Sequence, residues 1–590
     1  MSESVSYADI EFQDGRLYSP RFSDIYFAKD GPAETDRVFL DPARIIERIS
    51  RCSEFTIVEF GFGSGLNFFQ TVQRFIDSKS KARLRYISFE RYPLTNIARR
   101  HALKQWSRNW NVFEEFCQTS PPPIGGWHRR FFHDSLIELS IYHGSAEAGF
   151  QDFLSQDLHG VDAWFLDGFK PEFNESMWSP EILGALPSLT KPQGTVTSFS
   201  VAGELRRKLA EAGFAVERID NAPFKRHTLL ASIKTSTFTP RVVDNEVSVV
   251  GGGFAGCATA NALAKKGIRV NLYEKEQGVG TRTSSIPVAI QHGRLAVREA
   301  TEADYRAHAY AFASSLVRGY SSCTNVGALQ FSGPNFSDER LLRISEFMQF
   351  EWCQLIDPAQ VRELTRVDSG HTSAWFPRSN YVLGPELCRE LADHPNINFV
   401  QEEISLSHQF DEPTVLAVGT NILEFANDPP LESVTLEGQV NLFQNPGDSV
   451  AGVPILIKNG YVVPTQSQIC AGSTYEYTKW SNEKATQQNL IRAREAFPDL
   501  ELEAGSIFRS QRMVNSDRFP IIGKAKEMVW YNLGHGSSGT ISALFGGEFI
   551  ASQISGEVLP STSDTLNLLS PLRFRERQKR RPNPFSKKKS

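Results

Sequence analysis

The chain alternates between short apolar runs and stretches in which apolar residues recur every three or four positions. These two periods distinguish buried strands from amphipathic helices. Residues 55–60, 84–89 and 161–166 are apolar almost throughout and predict strands covered on both faces, whereas 67–76 and 202–212 carry helical spacing. Strand patterns at 194–199 and 228–233 complete a rhythm that predicts a doubly wound α/β domain. The rhythm breaks at 234–245, which contains Pro240 and shows no period. It resumes with a strand at 247–250, a helix from 254 to 266, Gly267 as its stop and a strand at 268–273. Beyond Thr281 strands and helices mix, until a glycine-rich stretch at 532–539 precedes a helical pattern at 541–554. The expected organisation is a first domain at 1–236, a linker at 237–245, a second α/β domain with an inserted mixed α+β region at 246–572, and a tail at 573–590.

Each domain opens with a glycine-rich turn between strand and helix. The first reads Glu59-Phe60-Gly61-Phe62-Gly63-Ser64-Gly65-Leu66-Asn67. Its glycines allow close approach of a ligand to the amides at a helix N-terminus. Glu59 would repel a pyrophosphate but can accept a hydrogen bond from an amino-acid ammonium, which suits S-adenosylmethionine better than a dinucleotide. Glu90 ends the next predicted strand, where a carboxylate accepts from ribose hydroxyls, and Asp167 ends a later one, where α/β folds collect ligand and catalytic groups. Asp167 is the candidate to accept the proton of an alkylamine before methyl transfer, with a purely structural strand-end or cofactor-positioning role as the alternative.

The second turn, Gly251-Gly252-Gly253-Phe254-Ala255-Gly256, follows a strand and opens a helix, and Glu274 ends the next strand. That combination is the fingerprint of a bound pyrophosphate with a free ribose 2′-hydroxyl, hence FAD or NAD. The distant run Gly534-His535-Gly536-Ser537-Ser538-Gly539, placed to close a site from the far end of the domain, favours FAD. Arg512 is a candidate grip for a substrate carboxylate, its alternative being an ion pair with Asp517 or another carboxylate. His292, His371 and His535 have no metal-site spacing.

The 590 residues, 40% hydrophobic and 22% charged, describe an ordinary globular chain with more than one core, and a net charge of -5 does not advertise a polyanion binder. The basic elements that oppose this reading are Arg129-Arg130, Arg206-Arg207-Lys208, Lys225-Arg226-His227 and the Arg/Lys-rich tail from Arg573, which is expected to be disordered and to make an accessory RNA contact. Seven scattered cysteines with no Cys-x-x-Cys pair argue against disulfides and zinc. No apolar run approaches the roughly 18 residues needed to span a bilayer, and the N-terminus is not leader-like; a metal-free monomer in a reducing cytoplasm, away from membranes, is the expectation.

Three segments carry a family resemblance: Ser19-Pro20-Arg21-Phe22-Ser23-Asp24-Ile25-Tyr26-Phe27, Glu59-Phe60-Gly61-x-Gly63-x-Gly65-x-Asn67, and Leu166-Asp167-Gly168-Phe169-x-Pro171-x-x-Asn174-x-x-Met177-Trp178. They resemble the methyltransferase half of the bacterial bifunctional tRNA 5-methylaminomethyl-2-thiouridine biosynthesis proteins. The second domain is similar to the D-amino-acid oxidase and glycine oxidase flavoproteins, through the loop 251–256, Arg512 with Asp517-x-x-Pro520-x-x-Gly523, and the run 534–539. In that family small polar residues such as those at 280–285, Ser284 among them, lie against the flavin or its phosphates. The resemblance implies a Rossmann-like methyltransferase domain followed by an FAD-binding Rossmann domain with an inserted substrate domain. It further implies FAD and S-adenosylmethionine as cofactors and the tRNA anticodon stem-loop as partner. The implied activity is oxidative removal of a carboxymethyl group from a wobble uridine, then N-methylation of the amine that remains.

Two rival readings stand beside this one. A small-molecule amine N-methyltransferase fused to an amino-acid or sarcosine-type oxidase fits the net acidity, and a nucleotide-sensing interaction protein would need neither chemistry.

Overall fold

The computed structural model describes residues 5–585 apart from 157–159, 170–174, 222–226, 241–242, 294, 296–299, 334–335, 367–369, 371, 406–407, 409, 425–429, 445–449, 451 and 499. The chain forms two compact units, Met1–Val242 with Gly556–Ser563, and Val243–Ser555 with Asp564–Ser590.

In the first unit the strands are β1 (Glu54–Phe60), β2 (Arg83–Glu90), β3 (Gly126–Phe132), β4 (Ile137–His143), β5 (Val161–Leu166), β6 (Thr190–Ser198), β7 (Phe214–Asp220) and β8 (His227–Ile233). They make one sheet in the order β7-β8-β6-β5-β1-β2-β4-β3. The inner five, β6 to β4 in that order, pair in parallel and the outer strands antiparallel. Ile57, Val58 and Phe60 of β1 have no exposed surface, as a strand covered on both faces requires. Helix α1 (Leu66–Asp77) covers one face because Phe68, Phe69, Val72 and Phe75 recur at helical spacing and are buried, while Arg74 and Asp77 face water.

The second unit has two large sheets. The first contains β9 (Glu246–Val250), β10 (Arg269–Glu274), β11 (Ile397–Gln401), β12 (Thr414–Leu416), β13 (Ile521–Lys526) and β14 (Val529–Leu533) in the order β11-β10-β9-β12-β14-β13. The other has eight strands and ends on the long pair Ser433–Gln444 and Ala504–Asn515, which is the inserted region expected from the mixed pattern. Helix α2 (Phe254–Lys265) follows β9, and helix α3 (Gly539–Ser555) is buried nearly all round. Lys266 and Glu548 form a buried ion pair at 2.9 Å beside these helices.

Three expectations need correction. The tail is not free: Arg573–Gln578 is helical, and Arg573 and Arg577 pair with Asp517 at 2.9 Å, because that half-buried carboxylate and Glu432 require counter-charges. The second domain is not continuous to 572, since Gly556–Ser563 belongs to the first unit. Arg129 and Arg130 are not surface residues: both are buried, Arg129 pairs with Glu138 at 3.0 Å and donates to the Val558 carbonyl, and Arg130 donates to the Thr119 carbonyl. In the same unit Glu557, 2% exposed, accepts from Arg83 at 2.8 Å and lies 3.8 Å from Arg85.

Removing one member of such a buried cluster leaves its partners uncompensated. Glu557→Ala should therefore destabilise the first unit by roughly 3 kcal/mol, measured as a fall in the urea midpoint of its unfolding transition. A midpoint within error of the parent would mean that the arginines are satisfied without this segment.

Two candidate cofactor sites

Both glycine turns lie where their sheets change direction. In the first unit the parallel register sets Phe60 opposite Leu166, so Gly61 runs beside Asp167 and Gly168. Gly61 has φ +92°, and a Cβ on it would lie 3.3 Å from the Gly168 Cα, a backbone neighbour that cannot swing away. This is the topological switch point of the sheet, where strands diverge and a crevice opens. A cavity of about 1130 Å³ fills it, walled by Gly61, Gly63, Asn67, Glu90 and Asp167.

Asn67 organises the polar floor. Its amide nitrogen donates to Asp167 at 2.7 Å and to Glu59 at 3.0 Å, and its oxygen accepts from the Thr35 hydroxyl at 2.8 Å. The other Asp167 oxygen accepts from the Gly168 N–H at 2.8 Å. Glu90 accepts from the backbone N–H of Gly63 at 2.6 Å and of Tyr92 at 2.8 Å, while burial raises its pKa. Arg99, which carries no sequence motif, props the turn from below by donating to the Ser64 carbonyl at 3.1 Å. Two of the expected ligand contacts lie off the cavity wall. Glu59 is 1% exposed and sits beneath Asn67 and Ser88, outside the cavity wall. Gly65 precedes α1 and packs on Phe62 and Phe69 without reaching the cavity.

In the second unit the register Val250↔Leu416 brings Gly251 against Ala417, whose carbonyl would lie 2.6 Å from a Cβ at 251. A Cβ on Gly256 would lie 1.6 Å from the Gly251 carbonyl oxygen, so Gly256 secures the packing of α2 on its own loop and is not in the cavity wall. That wall, around about 540 Å³, includes Gly251, Gly253, Glu274, Ser284, Arg512, Gly534, Gly536 and Gly539. Glu274 accepts from the Gly252 N–H at 2.7 Å, and the Ser284 hydroxyl accepts from the Phe254 N–H at 3.0 Å. The N-termini of α2 and α3 meet here, since a Cβ on Gly539 would stand 3.8 Å from the Phe254 ring. Two helix N-termini on one cavity favour an anion such as a pyrophosphate, so the residues present fit a dinucleotide.

Arg512 reaches the same cavity. Its guanidinium donates to Ser473 at 3.1 Å, Ser537 at 3.0 Å and the Thr474 carbonyl at 2.6 Å, and lies 5.5 Å from the Tyr475 ring centre. Asp517, its expected rival partner, is held by Arg573 and Arg577. His535 contacts Ser542 at 3.0 Å, and burial pushes its pKa down to about 4, so it is neutral near pH 7. Among the described residues no group of three His, Cys, Asp or Glu could hold a metal, and no helix is long and apolar enough to cross a membrane. All seven cysteines are free. Residues 170–174 and 222–226 of the expected motifs, and His371, lie outside the described residues.

Burial, reinforced by the Asp167 charge, pushes Glu59 up to about 8 from its ordinary 4.5. The folded protein keeps a proton there that the unfolded chain releases, so this contribution to stability is complete below pH 4.5 and lost as pH rises through about 8. Glu59→Gln, neutral at every pH, should flatten the curve of urea midpoint against pH across that window; an undiminished slope would place the dependence elsewhere. Gly256→Val should leave the second unit unable to retain FAD, read as loss of the flavin absorbance from the purified protein. Normal flavin content would show that the loop can rearrange around a side chain.

Residues 246–553 match the family described as FAD dependent oxidoreductase, and residues 109–234 the S-adenosyl-L-methionine-dependent methyltransferase family. Curated relatives include the tRNA 5-methylaminomethyl-2-thiouridine biosynthesis bifunctional protein of Nitrosospira multiformis, 28% identical over 614 residues, with 96% of this chain and 98% of the relative covered. The protein of the same name from Chromobacterium violaceum is 27% identical over 656 residues, with 96% and 97% covered. Among solved structures, glycine oxidase from Bacillus cereus aligns with 53% of this chain and 95% of its own at 18% identity and a TM-score of 0.45. The chain belongs to the FAD dependent oxidoreductase family, as a bifunctional enzyme whose first unit is an S-adenosyl-L-methionine-dependent methyltransferase.

Proposed function

We propose that the two units act in succession on the wobble uridine of tRNA, in the cytoplasm. The second removes the carboxymethyl group from a carboxymethylaminomethyl side chain, and the first methylates the amine so exposed. The observation that carries this reading is the complementary chemistry of the two cavities: a guanidinium, Arg512, faces one, and a carboxylate, Asp167, faces the other. A carboxylate-bearing amine suits the first of these, and the bare amine left after its acid is gone suits the second. The curated relatives, whose names give tRNA 5-methylaminomethyl-2-thiouridine biosynthesis by a bifunctional protein, support the tRNA reading.

FAD, when bound, supplies the two-electron oxidation of the C–N bond. Arg512 grips the substrate carboxylate, a contact that fixes the adjacent methylene in the cavity. Ser473, Ser537 and the Thr474 carbonyl hold that guanidinium in place from the side of the protein. His535, neutral by burial, adds no positive charge near an amine that must lose its proton before its C–H is oxidised. Hydrolysis of the oxidised C–N bond releases glyoxylate and leaves the primary amine. In the first unit Asp167, anchored by Asn67 and the Gly168 N–H, is placed to take the proton of that amine, whose lone pair then attacks the sulfonium methyl. Alignment of amine and methyl within one cavity contributes the larger part of the rate.

The test is turnover of tRNA bearing the carboxymethylaminomethyl group, beside free glycine and sarcosine derivatives. Turnover of the RNA supports the reading, and turnover of the small molecules alone replaces it with the small-molecule enzyme. In the RNA assay Asp167→Asn should slow methylation by at least about 100-fold, in the range of general acid–base effects, with flavin reduction by the same RNA unchanged. Undiminished methylation would remove Asp167 from the chemistry.

A further inference from the structure

The cavity of the first unit is larger than its donor needs. At about 1130 Å³ it exceeds the upper end of roughly 300–1,000 Å³ that a single drug-sized ligand occupies. Its wall holds the glycine turn and Glu90 together with an aromatic group. Phe22 and Phe169 stack with ring centres 4.5 Å apart and planes 16° from parallel, and Tyr26, 3.4 Å from where a Cβ on Gly63 would stand, meets Phe169 edge-on at 5.1 Å. Phe22 and Phe169 are both half-buried, a state that leaves ring surface open to a further partner. Beside them the exposed guanidiniums of Arg21 and Arg91 lie 4.7 Å and 5.5 Å from the Tyr92 ring centre. Among the described residues neither has a carboxylate partner, in contrast to Arg129, Arg573 and Arg577.

We propose that the Phe22–Phe169 stack is the platform for the acceptor nucleobase in methyl transfer, and that Arg21 and Arg91 hold the phosphates that flank it. The inference rests on the tRNA reading above. The reactive nitrogen of an aminomethyl uridine is two bonds from the pyrimidine ring, and Asp167 and Phe169 line the same cavity two residues apart, so the base is placed towards the Phe169 ring when its nitrogen meets Asp167. An uncharged pyrimidine gains most there from a flat ring beneath it, which is the sequence-tolerant stacking used for unpaired bases. Arginines at the rim meet the phosphodiesters that a base flipped out of a loop carries on either side. No dedicated hydrogen-bond reader of the base is required for this docking.

The experiment measures steady-state methylation of the oxidised tRNA together with equilibrium binding of S-adenosylmethionine. Phe22→Ala should raise the KM for RNA by between about 5-fold and 150-fold, the range for loss of one base stack, with S-adenosylmethionine affinity within about twofold of the parent. Phe22→Tyr, which keeps the ring, should restore the KM. Arg21→Gln should reduce the slope of log affinity for RNA against log salt by about 0.7. An unchanged KM in Phe22→Ala would overturn the platform, and so would loss of S-adenosylmethionine binding in step with methylation, which would make the stack part of the donor site. If the parent protein methylates free amines but not RNA, the tRNA reading itself fails and this inference with it; normal RNA turnover with an indifferent Phe22 sinks the inference alone.

Discussion

Both active units depend on one steric condition, the near-contact of two backbones where the central strand of a parallel sheet ends between neighbours whose chains leave in opposite directions. At Gly61 the neighbour is Gly168, and at Gly251 it is the Ala417 carbonyl. A side chain at 251 would force the neighbouring backbone to shift, and one at 61 would press on Gly168 from a positive φ that side chains rarely adopt. The consequences are parallel in the two units. The turn presents its amides, a helix starts from it, and the carboxylate ending the next strand folds over to accept one of those amides: Glu90 from Gly63, Glu274 from Gly252.

The two sites differ in the sign of charge they hold in reserve. In the flavoprotein unit His535 is kept neutral by burial and the Arg512 guanidinium lines the cavity. In the methyltransferase unit two carboxylates share the amide of Asn67, and burial keeps the deeper one protonated at neutral pH. Glu59 is thus a protonated strut beneath Asn67, and of this pair only Asp167 lines the cavity. This division lets one floor bear two acids without the repulsion that would expel one of them.

Much of this was legible in the sequence wherever a local period carries the information. The strands around 55–60, 161–166 and 247–250 have no alternation because both faces are covered, and the helices at 66–77 and 254–265 follow directly from their apolar spacing. The glycine turns and the acids Glu90, Asp167 and Glu274 were readable because their spacing from a strand end is set by the fold itself. Charges were misread. Arg129 and Arg130 resemble a surface patch, yet they lie in strand β3 under Glu138 and the Val558 carbonyl, and nothing local to them signals partners elsewhere in the chain. Arg573 and Arg577 were misread likewise, since Asp517 and Glu432 are remote in sequence. Arg99 escaped notice because a buried arginine that braces a loop carbonyl has no spacing rule.

The visit of Gly556–Ser563 to the first unit has a consequence for biosynthesis. The methyltransferase sheet is translated early, but the carboxylate that compensates Arg83 arrives with residue 557. Between residue 138, the last earlier acid of that cluster, and residue 557 a ribosome adds 419 amino acids (557 − 138), which takes roughly 20 to 80 s at the usual rate of synthesis. Over that interval the nascent unit has Glu54 and Glu138, but not yet Glu557, to balance Arg83, Arg85 and Arg129. A chain that stops anywhere in the flavoprotein half lacks this buried acid, so the first unit reaches its full set of ion pairs only when the second has been made.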